Sequence, residues 1–148
     1  MIYLLDVNVL LAASYDSHCL HERAKQWLDS LPENEAHALL ATCSVTELGF
    51  VRIACCASGL ARNLYEAQHG LTCFKKQRHA IFLHDSVEAN CLPTWVTKSK
   101  HVTDGHLVGV AAAHNGTLAT LDEGIPGAFI IPKTSFVKER WTRYGMAA

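Results

Sequence analysis

Ile2-Tyr3-Leu4-Leu5-Asp6-Val7-Asn8 opens the chain with four apolar residues followed at once by an acid. An apolar run without polar alternation suits a strand covered on both faces, as in a parallel sheet. Asp6 then falls at the carboxyl end of that strand. In open parallel sheets ligands bind in the crevice outside those ends, so an acid there is placed for chemistry. Asp6 or Asn8 could equally cap a helix beginning near Val9. The seven residues alone leave both readings open.

The same alternation of short apolar runs and helical stretches continues down the chain, the pattern of an α/β fold with crossover units. Leu20, Ala24, Trp27, Leu28 and Leu31 recur at helical spacing and predict a helix over residues 18–31 with a core-facing stripe. A strand is predicted over 38–41. Thr42 or Ser44 then caps a helix through Ile53, with Phe50, Ile53 and Ala54 on its packed side. A helix or helix pair over about 60–76, a strand over 80–83 and a short helix over 86–92 follow. Thr103 is a good N-cap and Asn115-Gly116 a good stop for a helix whose Gly109 and Ala111 to Ala113 would permit close approach to the sheet. Residues 117–120 read as a strand ending before Asp122.

Four acids stand at the edges of these segments: Asp6, Glu47, Asp104 and Asp122. If they converge, their mutual repulsion is best relieved by Mg²⁺ or Mn²⁺, which favour carboxylate and water oxygens. Metal-assisted chemistry on a phosphate is the expectation. Each acid also has a structural reading: a first-turn Glu or Asp is favoured by the helix dipole with no function implied. Asp85 and Glu88 read as caps of the short helix. His18, His21 and Glu22 match neither ordering of the helical zinc motifs. Lys75, Lys76, Arg78 and His79 form a basic cluster of the kind that is more often a solvated face than a binding site.

At 148 residues, with 49% apolar, the chain is expected to form one domain, residues 1–148, with enough core for helices on both faces of a sheet. Thirteen Lys and Arg against 14 Asp and Glu neither announce nor exclude a nucleic-acid partner. Six cysteines without a Cys-x-x-Cys pair read as reduced thiols, and no signal-peptide pattern opens the chain. No apolar run approaches the roughly 20 residues of a membrane span. A cytoplasmic protein without membrane association is expected.

The combined motifs, Asp-x-Asn near the start, Thr-Glu-Leu-Gly-Phe-Val-Arg, Thr-Asp-Gly-His-Leu before a small-residue helix, and Thr-Leu-Asp, closely resemble PIN-domain proteins, especially VapC-type toxins of VapBC systems. The likeness runs in motif order over residues 2–132, with His21, Ala24 and Trp27 resembling that family's second helix. It implies a three-layer α/β/α fold with a central parallel sheet, and an Mg²⁺- or Mn²⁺-dependent endoribonuclease yielding a 5′-phosphate and a 3′-hydroxyl. By motif, Asp6, Glu47 and Asp104 correspond to the family's metal-binding acids and Asp122 to its more variable fourth. Asn8 and Thr120 match site-supporting polar positions. The resemblance further implies a homodimer and a VapB-like antitoxin that inserts into the groove.

An RNA substrate needs cations. Lys98, Lys100 and His101 just before Asp104, and Arg52 on the Glu47 helix, are candidate phosphate contacts, though each could be an ordinary surface cation. The basic and aromatic residues of the 138–144 tail are a secondary candidate. Two other classes compete. A haloacid-dehalogenase-like, metal-dependent phosphatase wants a second Asp two positions after the first, where this chain has Asn8. A receiver-like phosphate switch wants adjacent acids after its first strand and a phosphoacceptor after its third.

Overall fold

The structure is a computed structural model that describes residues 1–32, 38–56 and 59–133. Five parallel strands, β1 (Ile2–Leu5), β2 (Leu39–Cys43), β3 (Ile81–Leu83), β4 (Gly116–Thr120) and β5 (Phe129–Ile130), lie in the order β3-β2-β1-β4-β5. The chain builds one half outward from β1, then crosses back to lay β4 on the other side. Strand order therefore reverses between β1 and β4.

Helices α1 (Val7–Ser14), α2 (His21–Ser30), α3 (Ser44–Cys55) and α4 (Leu64–Arg78) carry one hydrophobic core, and α5 (Val102–Ala113) carries the other. Alternation along the strands feeds both: Leu5, Leu40 and Ala119 enter the first, and Leu4, Ala41 and Leu118 the second. This is the α/β/α layering expected, and it explains why β1 shows no polar alternation. Because α1 leaves β1 on one face while α5 enters β4 from the other, a crevice opens above the β1–β4 boundary. Pairing of Leu5 with Ala119 sets Asp6 level with Thr120 there, and Asp6 N extends the ladder to Ala119 O at 3.0 Å.

Several boundaries differ from the sequence reading, each for a local reason. His18 Nδ1 accepts from Leu20 N at 3.1 Å and holds a turn, so α2 starts only at His21. Thr42 belongs to β2 and Ser44 is already helical; the N-cap of α3 is Cys43, whose N–H is taken by Thr46 Oγ1 at 3.0 Å. Asn63 caps Glu66 N at 2.8 Å and delays α4 to Leu64. Asp85 Oδ1 accepts from Val87 N at 3.0 Å, and Pro93 holds Leu92 extended, leaving only a 3₁₀ turn at Ala89–Cys91 where a helix was predicted. Thr103 is not the cap of α5: a 3₁₀ turn at Ser99–His101 runs directly into Val102. Asn115, with φ 56°, does end the segment in the left-handed region.

Small residues set two close approaches. A Cβ on Gly49 would lie 2.7 Å from Val7 Cγ2, so this glycine lets α3 cross α1 closely while the adjacent Phe50 is fully buried. On α5 the tight position is Gly105 rather than Gly109: a Cβ there would lie 2.3 Å from Val96 Cγ2 and 3.3 Å from Pro93 Cδ, whereas at Gly109 it would meet only Val87 at 3.5 Å. The 93–96 turn is thus seated on Gly105, beside Asp104. Gly105→Ala is expected to lower stability by about 1–3 kcal/mol through overpacking, read as an earlier urea midpoint with unchanged slope. A wild-type midpoint would show that the turn yields freely.

Candidate active site

Asp6 is the first residue past β1 and is only 7% exposed. Its Oδ1 accepts from Val7 N at 2.7 Å, capping α1, and its Oδ2 accepts from Thr120 Oγ1 at 2.7 Å. The capping and cleft readings are therefore compatible, one oxygen serving each. Thr120 Oγ1 also accepts from Asn8 Nδ2 at 3.2 Å and from Asp122 N at 3.1 Å. Asn8 Oδ1 in turn accepts from Leu121 N at 3.2 Å. One hydroxyl thereby ties the ends of β1 and β4 together and fixes the backbone of Asp122.

Asp104 approaches from the first turn of α5, and His101 Nδ1 lies 4.0 Å from its Oδ2. Desolvation by burial raises the Asp104 carboxyl above the ordinary aspartate range, and repulsion from Asp6 and Asp122 adds to it, against partial relief from His101. Burial also raises Asp6, opposed by the hydrogen bonds from Thr120 and Val7 and reinforced by the charge of Asp122. Asp122 itself is exposed, with Oδ1 accepting from Gly124 N at 2.8 Å. Among the described residues no Lys or Arg pairs with any of the three. They form a concentration of negative charge relieved, among the described residues, only in part by His101.

Glu47 stands apart. Its Oε1 accepts from Thr42 Oγ1 at 2.6 Å and from the Lys75 ammonium on α4. Among the described residues no three His, Cys, Asp or Glu side chains form a ready-made metal cage. That finding sits beside the mutual repulsion of the three aspartates, and the two are compatible. Carboxylates without a shared cation hold apart, and Mg²⁺ retains several waters and needs only one or two protein carboxylates. The donor chemistry, all oxygen and short of positive charge, fits a hard divalent cation and not a soft one.

Arg52, Lys98 and Lys100 are exposed, Arg52 on α3 and the two lysines around the 3₁₀ turn before Asp104. The tail at 138–144 lies outside the described residues. The basic cluster is less solvated than expected: Lys75 pairs with Glu47 and Arg78 with Asp29 at 2.8 Å, both side chains being 29% exposed. Asp85 is engaged by His106 Nε2 at 2.5 Å as well as by Val87 N. Thr42 and Lys75 were not legible as site residues, because Lys75 meets Glu47 across 28 residues of sequence. His101 carried a usable signal, the three-residue spacing to Asp104 at a helix start.

No family model matches the chain. It is 34% identical to ribonuclease VapC38 of Mycobacterium tuberculosis over 128 residues, covering 82% of this chain and 86% of that protein. It is 32% identical to ribonuclease VapC44 of the same species over 138 residues, 84% and 92% of the two chains, and 30% identical to ribonuclease VapC29 over 140 residues, 91% and 100%. These relatives place the chain in the VapC family of PIN-type toxins. A chain from the crystal structure of VapBC2 from Rickettsia felis, bound to a DNA fragment from their promoter, superposes with a TM-score of 0.59 at 17% identity. It covers 88% of this chain and 97% of that one and supports the fold.

The charge cluster has a thermodynamic signature. Carboxyls raised in the folded state bind protons there that the unfolded chain has already lost, so metal-free stability falls as pH rises from about 3.8 through the raised values. Asp104→Asn is expected to raise the unfolding temperature in EDTA at pH 7 by a few degrees, roughly 2–4 °C, and to leave it unchanged at pH 3, where the carboxyl is protonated. A lower unfolding temperature at pH 7 would contradict the strained-cluster reading.

Proposed function

We propose that the chain is a divalent-metal-dependent endoribonuclease, the toxin of a type II toxin–antitoxin pair. The observation that carries this is the meeting of Asp6, Asp104 and Asp122 at the β1–β4 crevice, without a Lys or Arg partner among the described residues. Support comes also from the relatives, which are named ribonucleases.

Asp6 and Asp104 would hold Mg²⁺ or Mn²⁺, with Asp122 and Glu47 as further oxygen donors. When bound, the cation supplies charge neutralisation at the phosphate and a lowered pKa for water. Thr120 and Asn8 keep the Asp6 carboxylate aimed into the crevice, the role that supporting hydrogen bonds play in metal sites. Lys98 and Lys100 offer phosphate contacts beside Asp104, and Arg52 is a further candidate. Hydrolysis adds a water oxygen to phosphorus and breaks the P–O3′ bond, leaving a 5′-phosphate and a 3′-hydroxyl. No side-chain nucleophile is needed.

The phosphatase and receiver alternatives are less favoured. Asn8, where a phosphatase needs its acid, spends both ends of its amide on Thr120 and Leu121. Glu47 sits on α3, not at a strand end where a receiver needs its acceptor. A VapB-like antitoxin and a homodimer are the partners this reading entails, with RNA in the cytoplasm as target. Among the described residues no helix is long and apolar enough to cross a membrane.

Purified wild-type protein is expected to cleave RNA with Mg²⁺ or Mn²⁺ and to stop in EDTA. Asp6→Asn, which can still accept the Val7 hydrogen bond, is expected to lose more than about 100-fold in rate. Cleavage by Asp6→Asn at the wild-type rate, or undiminished cleavage in EDTA, would overturn the assignment.

A further inference from the structure

Among the described residues, Glu47 is the one proposed metal donor that pairs with a Lys or Arg. Lys75 projects from α4, whose Ala67, Leu71 and Phe74 are buried, so its backbone is anchored by packing. Its ammonium lies on Glu47 Oε1, the oxygen that also accepts from Thr42, and stands 5.5 Å from the centroid of the Phe82 ring. Neither side chain is free in solvent: Lys75 is 29% and Glu47 23% exposed. Among the described residues no donor reaches Glu47 Oε2. The electropositive arrangement is thus built on one oxygen and leaves the other open.

We propose that Lys75 is an intramolecular competitor for the divalent cation at Glu47, so that metal binding there is linked to release of the Lys75–Glu47 ion pair. This rests on the metal-dependent reading above. An ammonium and a divalent ion on one half-buried carboxylate repel each other, and the local dielectric screens them less than water does. Metal at Glu47 therefore either displaces Lys75 or binds beside it against repulsion. Both lower the affinity of the site relative to a chain without the lysine. The Phe82 ring gives the displaced ammonium a second partner.

The test is calorimetric titration of Mn²⁺ into the full chain, without RNA, for wild type, Lys75→Met, Lys75→Arg, Glu47→Gln and the Lys75→Met/Glu47→Gln double variant. Met preserves the apolar stem on Phe82, and thermal unfolding confirms that each variant is folded. Lys75→Met is expected to tighten Mn²⁺ binding by about three- to tenfold, the range for removing a partly exposed ion pair together with like-charge repulsion. Lys75→Arg is expected to stay near wild type, and the tightening should vanish in the Glu47→Gln background. Unchanged or weaker binding by Lys75→Met, or tightening that persists without Glu47, would overturn the proposal. If wild type binds Mn²⁺ and Asp6→Asn abolishes it while Lys75→Met has no effect, only the Lys75 assignment falls. If wild type binds no Mn²⁺, the metal-dependent reading falls and takes this one with it.

Discussion

The Thr120 hydroxyl holds the candidate site together. It has one proton to give and two lone pairs to offer, and it uses all three: donation to Asp6, acceptance from Asn8 and acceptance from the Asp122 backbone. Buried at the end of β4, it ties two neighbouring parallel strands, β1 leading into α1 on one face of the sheet and β4 entered from α5 on the other. Without such a tie the carboxylates of Asp6 and Asp122 would be free to separate, since each repels the other. The hydrogen bond also opposes the rise in the Asp6 pKa that burial imposes. A site that gathers negative charge needs this restraint before any cation arrives.

That gathering has an energetic cost to the fold. Asp6 and Asp104 are both harder to ionise than free aspartates, chiefly because they are desolvated by burial and then because of neighbouring acids, Asp122 for Asp6 and both Asp6 and Asp122 for Asp104. Residual strain of this kind is tolerated where the surrounding structure is firmly packed. Here β1 is covered on both faces, its Leu4 and Leu5 fully buried in opposite cores, and the fully buried Phe50 sits one residue beyond the close contact of Gly49 with Val7. The two cores hold still the end of β1 that carries Asp6 and the first turn of α5 that carries Asp104.

Much of this was legible in the sequence, and the rest was not for identifiable reasons. Ile2 to Leu5 could be read because burial on both faces leaves a local signature, and the acids could be singled out because they stand at the edges of apolar segments. Asn8 and Thr120 were expected beside the site through motif resemblance and do bond to one another. The bounds of α5 were misread because a preceding 3₁₀ turn replaced the Thr103 cap, and the helix at 86–92 failed because Asp85 and Pro93 fix the chain in other conformations. β5 is two residues long and has no periodicity to detect. The engagement of Glu47 by Lys75 depends on how α3 and α4 pack, which no local pattern encodes.

The most direct measurement is a crystal structure grown with Mn²⁺ and examined by anomalous scattering. A manganese peak coordinated by Asp6 and Asp104, with the Thr120 to Asp6 hydrogen bond retained, is the expected result. A well-ordered crevice without a peak, in crystals whose protein cleaves RNA in the same buffer, would contradict the role assigned to the carboxylate cluster.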